Sequence, residues 1–466
     1  MANTVQVSDL GLEDDGAVPR WNHTKGSWEP IHYTEVVDAR DFRFKGDGTS
    51  DDTEAMQDTI NGSPVGSKVV FPLTSAGGAA RISAPINLIE QRWYDFPVVG
   101  RRWIYQYATP IGGSVKTTSG FSGAAAFLIQ GNEITERTLD NDGIRVSGLV
   151  IDVGASSGNV HGIQVEGLCR DLSFLDCAVR DAQGTGNCFD FRTGTGTSPP
   201  RGIHMRNCAA YSGAANGFRF NGVTDSVFYD LLAVSNVARG FYVTNSGEND
   251  FTACRSVFNG TDGWFFDGTV SLGLTTLIAP ATDRNGQNGI LISQSGTQPI
   301  QIVAPRLRRD GSTSTNSNYA GLRLSGGAGT EVVPVDVVAP QVVPGVDDDD
   351  TGDETPQFAV RALRAQRLTI LGGDLWGVSA GLSNAGNNTI VEWSPSTYWA
   401  AGAIGAKARE FPVPVGQSFV DFVEQADPSA PSTNVARLYA KDNGSGKTQL
   451  VVRFPTGAVQ QVAIEP

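Results

Sequence analysis

From Ile144 to Leu324 the apolar residues fall into two interleaved series whose steps far exceed a helical period. One series runs Val150, Phe174, Met205, Phe228, Phe251, Leu277, Ile302 and Val337, in steps of 24, 31, 23, 23, 26, 25 and 35 residues. The other closes a Gly-apolar-x-apolar pattern and runs Val165, Phe191, Phe220, Val243, Phe266, Ile292 and Leu324, in steps of 26, 29, 23, 23, 26 and 32. A minimum near 23 residues with occasional longer steps describes coils of constant size that carry loop insertions. Inside each strand, alternation sends one set of side chains inward and the next outward. The pattern predicts an all-β solenoid, a parallel β-helix.

Positions fixed relative to these anchors form further rows. Three residues after the first series come Val153, Cys177, Cys208, Leu231 and Cys254, then Pro280, Pro305 and Pro340, the prolines within Leu277-Ile-Ala-Pro280, Ile302-Val-Ala-Pro305 and Val337-Val-Ala-Pro340. Three cysteines at one coil position read as a stacked row of small apolar side chains. Two residues after the anchors lie Asp152, Asp176, Asn207 and Asp230. Such a row can bond free turn amides at a bend. It can also bring carboxylates together, because coils stack about 4.8 Å apart. Neighbouring carboxylates approach the ~5 Å spacing of a retaining glycosidase, and pairs with a coil between them approach inverting spacing. Asp176 and Asp230 are the candidate catalytic pair. The outward residues of the second series are Gln164, Asp190, Arg219, Tyr242, Phe265, Leu291 and Arg323. Aromatic faces offer apolar contact to sugar rings, and charged groups hydrogen-bond hydroxyls. Asp190, Arg219, Tyr242 and Phe265 are therefore the candidate glycan-binding residues. The competing reading is an ordinary solenoid surface or a face between chains. Trp264 is not oriented by the pattern.

Upstream stands Asp38-Ala-Arg-Asp-Phe-Arg-Phe-Lys-Gly46-Asp47-Gly48-Thr-Ser-Asp51-Asp52-Thr53-Glu-Ala-Met-Gln-Asp-Thr-Ile60, followed by Val69-Val-Phe71-Pro72. The glycines allow a sharp turn. Asp52 or Thr53 can cap a short helix whose Ala55, Met56 and Ile60 face inward, and Val69–Phe71 reads as a buried strand. This stretch resembles the amino-terminal entry segment of the pectate-lyase-like superfamily of right-handed, single-stranded parallel β-helices. The resemblance implies that the helix plugs the open end of the solenoid. That superfamily holds lyases, hydrolases and non-catalytic phage tail proteins. Its pectin-cleaving members carry Asn-Thr-Asp, a strand-borne Asp-Asp, Gly-His-Gly and Arg-Ile-Lys. None stands here, where the nearest histidine motif is Val160-His161-Gly162. An Arg-plus-Ca²⁺ cluster of pectate-lyase type is also not located.

The chain divides into an arm, 1–36, which carries Trp21 and Trp28 without a clear period; the β-helix, 37–400; a linker region, 401–433; and a small antiparallel β module, 434–466. In the last, Val435–Ala440, Gln449–Phe454 and Ala458–Val462 form a meander around the turn Lys441–Lys447. It is too small to bury a core alone, so association with copies from neighbouring chains is expected. It resembles a carboxy-terminal module of minor tail proteins in phages of actinobacteria.

Composition narrows the function. Gly 56 with only 18% charged residues suits many short strands and tight turns. The formal net charge of −14 opposes nucleic-acid binding. No apolar run is long enough for membrane insertion. The start Met1-Ala-Asn-Thr-Val-Gln-Val shows no secretory signal, which a virion component assembled in the host cytoplasm and released by lysis does not need. The five cysteines, 169, 177, 188, 208 and 254, contain no C-x-x-C pair and read as buried free thiols. His23, His32, His161 and His204 have no metal-ligand spacing. No cofactor is called for; Asp347–Asp350 with Asp353 and Glu354 could hold Ca²⁺ or simply be a solvated loop.

Together these features predict a phage tail spike or minor tail protein, a homotrimer attached to other tail or baseplate proteins through its arm and binding host surface polysaccharide. The alternative is a polysaccharide depolymerase, hydrolase or lyase, on the same fold. Three chains would carry three times −14, so the partner glycan is neutral or met by local basic groups such as Arg219 and Arg323.

Overall fold

The computed structural model describes residues 18–22, 27–31, 35–72, 79–97, 114–131, 143–194, 198–270, 273–311, 318–326, 331–343, 356–384, 390–393, 398–399, 408–410, 426–431 and 436–464. The acidic loop 345–354, His23, His32 and most of the linker region lie outside them. Two units are distinguished, Met1–Arg409 and Glu410–Pro466.

The first unit is the expected parallel β-helix. Each coil gives one strand to each of three parallel sheets, of 14, 12 and 11 strands among the described residues. In the 14-strand sheet the inward register is Val146, Phe174, Met205, Phe228, Phe251, Leu277, Ile302 and Val337. The first anchor is thus Val146, not Val150. Val150 lies past the corner in the 12-strand sheet, opposite Ala178. The apolar run Leu149-Val150-Ile151 mimicked a strand of the preceding sheet. Asp152 and Val153 leave their assigned rows with it, and Asp152 pairs with Arg180 at 2.5 Å. Gly148 and Leu149 stand in their place.

The corner after the 14-strand sheet explains the residue choice along its row. Gly148, Asp176, Asn207, Asp230, Ala253, Ala279, Ala304 and Ala339 all have φ between 49° and 69°. Asn and Asp tolerate this left-handed bend, and glycine meets no Cβ penalty there. The next position along carries the three cysteines and three prolines. The residues flanking it donate to adjacent coils, Asp176 to Arg206 and Ala178 to Leu149. The position itself is passed over by those bonds, so proline can occupy it. All five cysteines are buried free thiols.

The Gly-apolar-x-apolar signature comes from a glycine column before the 11-strand sheet. A Cβ on Gly240 would meet the Gly263 carbonyl oxygen at 2.8 Å, and one on Gly263 the Gly289 oxygen at 2.6 Å. Inward of it, Phe189, Phe218, Phe241 and Trp264 stack one per coil, with centroids 4.8, 5.0 and 3.9 Å apart. Each such pair adds about 0.5–1.5 kcal/mol beyond burial. Trp264 therefore faces inward. A buried ladder runs beside the stack: Asn236 donates to Asn259, Asn259 to Asn285, and Asn285 to Asp310 Oδ1, each through main chain and side chain.

The helix Thr53–Gly62 buries Ala55, Met56 and Ile60 as expected. Asp52 stands at the N-cap, one of the two residues expected there, but without a side-chain capping bond. Asp52 turns back to accept from the Lys45 and Gly46 amides, and Asp51 takes the Thr53 amide at 3.0 Å. Val18–Asn22 and Ser27–Ile31 pair antiparallel with Trp21 opposite Trp28, a hairpin the sequence did not announce, and the solenoid's first strand begins at Glu35. In the second unit, Arg437–Asp442, Thr448–Arg453 and Val459–Ile464 form the predicted meander, with Leu438 and Val462 exposed.

Two outcomes follow. Trp264→Ala should cost about 3–5 kcal/mol, seen as a lower denaturant midpoint. Asp310, fully buried and hydrogen-bonded to Thr282 and Asn285, is pushed by burial up to about 7. The fold therefore keeps a proton that the unfolded chain releases near pH 4, so stability falls as pH rises from about 4 to 7. Asp310→Asn should remove that fall, measured as denaturation midpoints at pH 5 and pH 8.

Candidate functional site

The outward row of the 11-strand sheet is in register as expected: Gln164, Asp190, Arg219, Tyr242, Phe265, Leu291 and Arg323, one per coil. Leu128 precedes it and Arg361 follows it. These nine rungs span roughly 38 Å at the strand spacing of ~4.8 Å.

Asp190 is the hub. It lies on an outward position yet is 0% exposed. Neighbouring side chains close over it. Asn187 Nδ2 donates to Oδ1 at 2.9 Å, and Arg219 Nη1 lies 3.5 Å from the same oxygen. Arg192 Nε stands 3.2 Å and His161 Nε2 3.8 Å from Oδ2. The Arg192 contact is close but not aligned, because neither Asp190 Oδ2 nor Arg192 Nε forms a hydrogen bond within the protein. Gln164 Oε1 and Arg219 Nε are buried without partners too. Leaving a buried polar atom unpaired costs about 1–3 kcal/mol. Several of them fall within three consecutive rungs, and the acceptors among them, Gln164 Oε1 and Asp190 Oδ2, could be paired by a donor such as a hydroxyl.

Glu166 completes the cluster. Its Oε2 accepts from Gln164 Nε2 at 2.7 Å and lies 3.7 Å from Arg192 Nε. Arg192 Nε lies between the two acids, so the facing oxygens of Glu166 and Asp190 are no more than about 7 Å apart. The Glu166 side chain is 26% exposed. His161 Nδ1 accepts from the Asn187 amide at 2.9 Å, which puts the neutral ring's proton on Nε2, toward Asp190. Burial lowers the affinity of His161 for a second proton, against the pull of Asp190.

Tyr242 and Phe265 stack in parallel, 5.5 Å apart. Arg239 lies over both rings, 4.9 and 4.4 Å from their centroids, and 3.8 Å from Asp262. Tyr242 Oη bonds Asp267 at 3.3 Å. The aromatic patch is thus half-buried, with a guanidinium over it. At the upper end, Arg323 and Arg361 adjoin and bond Asn318.

Asp176 and Asp230 stand at a different place, half-buried on the left-handed corner with Asn207 between them, whose Nδ2 donates to Asp176 Oδ1 at 2.5 Å. They are two coils apart, roughly 10 Å along the axis. His204 is exposed on the 14-strand sheet. Sequence reading missed Glu166, Arg192, His161 and Arg239 as members of the site. Glu166 and Arg192 were accessible through alternation, each two residues beyond an outward member. Among the described residues no cluster of three or more His, Cys, Asp or Glu is placed to hold a metal, and no helix is long and apolar enough to cross a membrane.

Removing the hub should expose its role. Asp190→Ala, which leaves Arg192 and Arg219 facing each other, is expected to lose about 3–5 kcal/mol. Tyr242→Phe should lose about 1 kcal/mol or less. Urea denaturation of both variants checks this.

No protein-family profile matches the chain. It is 28% identical over 341 residues to a K30/K69-specific capsule depolymerase of Klebsiella phage K64-1, covering 71% of this chain and 40% of that protein. It is 24% identical over 344 residues to depolymerase 1, of the same capsule specificity, from Klebsiella phage K5-2, covering 72% and 39%. The chain thus spans about two fifths of the length of these relatives. Among solved structures, the A-module of Azotobacter vinelandii mannuronan C-5 epimerase AlgE6 superposes with a TM-score of 0.53 at 16% identity, covering 78% of this chain and all of that module. Pre-mature gene product 12 of bacteriophage phi29 gives 0.50 at 14% identity, covering 78% of this chain and 50% of that one. These similarities establish the parallel β-helix as the shared fold.

Proposed function

We propose that this chain is the β-helical part of a phage tail spike that binds a host surface polysaccharide along the outer face of the 11-strand sheet and cleaves it there. The observation that carries the reading is the group of buried, unpartnered polar atoms around Asp190, beside the half-buried carboxylate of Glu166. Similarity to phage capsule depolymerases over most of this chain supports it. The glycan runs along the rungs, sugar faces on the Tyr242–Phe265 edge and the reacting linkage over Glu166. In its acid form Glu166 gives its proton to the glycosidic oxygen as the bond from that oxygen to the anomeric carbon breaks, a water adds to that carbon, and the proton the water releases restores Glu166. Asp190 acts as a positioning residue, holding Arg192, Arg219 and His161 toward the sugar. The protein works in the virion tail as a homotrimer, attached to other tail proteins through the region before Glu35. The exposed apolar residues of the meander, Leu438 and Val462, suit association between copies.

The corner acids Asp176 and Asp230 are the alternative catalytic pair, since their two-coil separation lies near inverting spacing. Incubation with host envelope polysaccharide followed by size-exclusion chromatography separates the readings. Wild type should shorten the chains, and Glu166→Gln should slow shortening about 100-fold or more while retaining adsorption to cells. Loss of cleavage in Asp176→Ala and Asp230→Ala, but not in Glu166→Gln, moves catalysis to the corner. Intact chains with retained adsorption by wild type reduce the function to binding.

A further inference from the structure

The outward residues nearest the left-handed corner of the 14-strand sheet change character along the shaft. In chain order they are Asp95, Ser147, Leu175, Arg206, Tyr229, Thr252, Ile278, Val303, Val338 and Leu371, one per coil. From Tyr229 onward only Thr252 interrupts an apolar column that runs to Leu371, roughly 24 Å at the strand spacing. Tyr229, Ile278 and Leu371 are 46, 42 and 42% exposed. Single exposed apolar residues are ordinary on a surface, but a contiguous line of them marks a contact.

The corner beside the column changes in the same coils. Asp176, Asn207 and Asp230 give way to Ala253, Ala279, Ala304 and Ala339, all with φ between 49° and 56°. Asn and Asp tolerate that conformation better than alanine, whose Cβ crowds the following carbonyl. The prolines that follow do not account for the change, since Ala253 precedes Cys254. Ala304 and Ala339 are exposed, so the core does not select a methyl group there. Backbone preference is given up for a smooth, uncharged edge, and two neighbouring columns lose their polar groups together. Water gains nothing from that exchange, whereas an apolar partner does.

Two features identify the partner as another copy of this chain. The column repeats once per coil, so a partner meets every rung only if it carries the same period, as a second parallel solenoid does. Charge points the same way. Copies with a formal net charge of −14 repel except where their facing surfaces carry no uncompensated acid. Around an axis parallel to the shaft, one flank of the corner on each copy faces the other flank on the next, at equal height. Over the four aliphatic rungs these flanks pair Thr276 with Ala281, Gln301 with Arg306, Asp336 with Gln341 and Thr369 with Asp374, and no rung brings like charges together. Asp336 is held at 3.0 Å by Arg367 of its own chain.

We propose that the corner edge from Tyr229 to Leu371 is the surface along which the shafts of three copies pack, parallel and in register, about a common axis. Ile278, Val303, Val338 and Leu371 of each copy meet their own counterparts at that axis. This rests on the homotrimer of the reading above and not on cleavage, and it leaves the outer face of the 11-strand sheet free for a glycan.

Thiol cross-linking tests it in the full chain, whose five native cysteines are buried. Ile278→Cys, oxidised with a copper catalyst, should give a covalent dimer on a non-reducing gel. Val237→Cys, at a position 67% exposed beyond the 12-strand sheet, should stay a single chain. Adding Val303→Glu to Ile278→Cys places carboxylates at the axis and should cut cross-linking at least tenfold, with circular dichroism and melting to verify folding. Light scattering of wild type should give three chain masses. A single-chain mass overturns the proposal and leaves the edge to a different protein. A trimer in which Ile278→Cys fails to cross-link and reacts with maleimide as fast as Val237→Cys overturns it too, assigning assembly to another part of the chain. Cross-linking that survives Val303→Glu has the same consequence. Glu166→Gln added to Ile278→Cys should leave cross-linking intact, so failure of the cleavage reading remains distinguishable.

Discussion

The structure depends on translation: each coil repeats the backbone of the last at the spacing set by β-ladder hydrogen bonds. A residue's nearest neighbours are its counterparts one coil above and below, so every column must satisfy one conformational or packing demand along its whole length. The glycine column shows this most directly, because Gly217, Gly240, Gly263 and Gly289 each face the carbonyl of the glycine one coil on. The same constraint makes the aromatic rings stack in parallel and lets each asparagine hydrogen-bond the one above. Stability comes from many equal steps and not from one central nucleus of contacts.

The proposed site sits where a column departs from its own rule. On the 11-strand sheet, outward positions meet water in most coils, yet Asp190 is sealed under three cationic or polarisable neighbours, with polar atoms left unpaired. Burial of a carboxylate among arginines keeps those guanidiniums oriented, which a solvated surface would not do.

Legibility in the sequence followed the same division. The second series placed seven strands in correct register because Gly-apolar-x-apolar records both a steric requirement and an alternation. The first series slipped at Val150, since spacing alone cannot separate two apolar runs flanking one corner. Asp190 and Arg219 were visible as neighbours; that Asp190 would be buried was not, because closure comes from His161 and Arg192, which belong to other positions of their strands. The asparagine ladder went unread although Asn236, Asn259 and Asn285 recur at coil spacing, because polar repeats suggest surface as readily as interior. Asp52 takes the N-cap position as one of the two residues expected there, but that its side chain would close onto Lys45 and Gly46, leaving Asp51 to take the Thr53 amide, was not legible from adjacent acids.

The glycine column also bears on how such a chain can change. Because Gly217, Gly240, Gly263 and Gly289 each abut the carbonyl of the glycine one turn on, a whole turn can be duplicated or deleted without disturbing the interlock, whereas a part of one cannot. Variation is channelled into complete windings and into the corners and outer faces that the interlock leaves untouched. New recognition chemistry can thus be written on the exterior of the shaft while its interior stays the same.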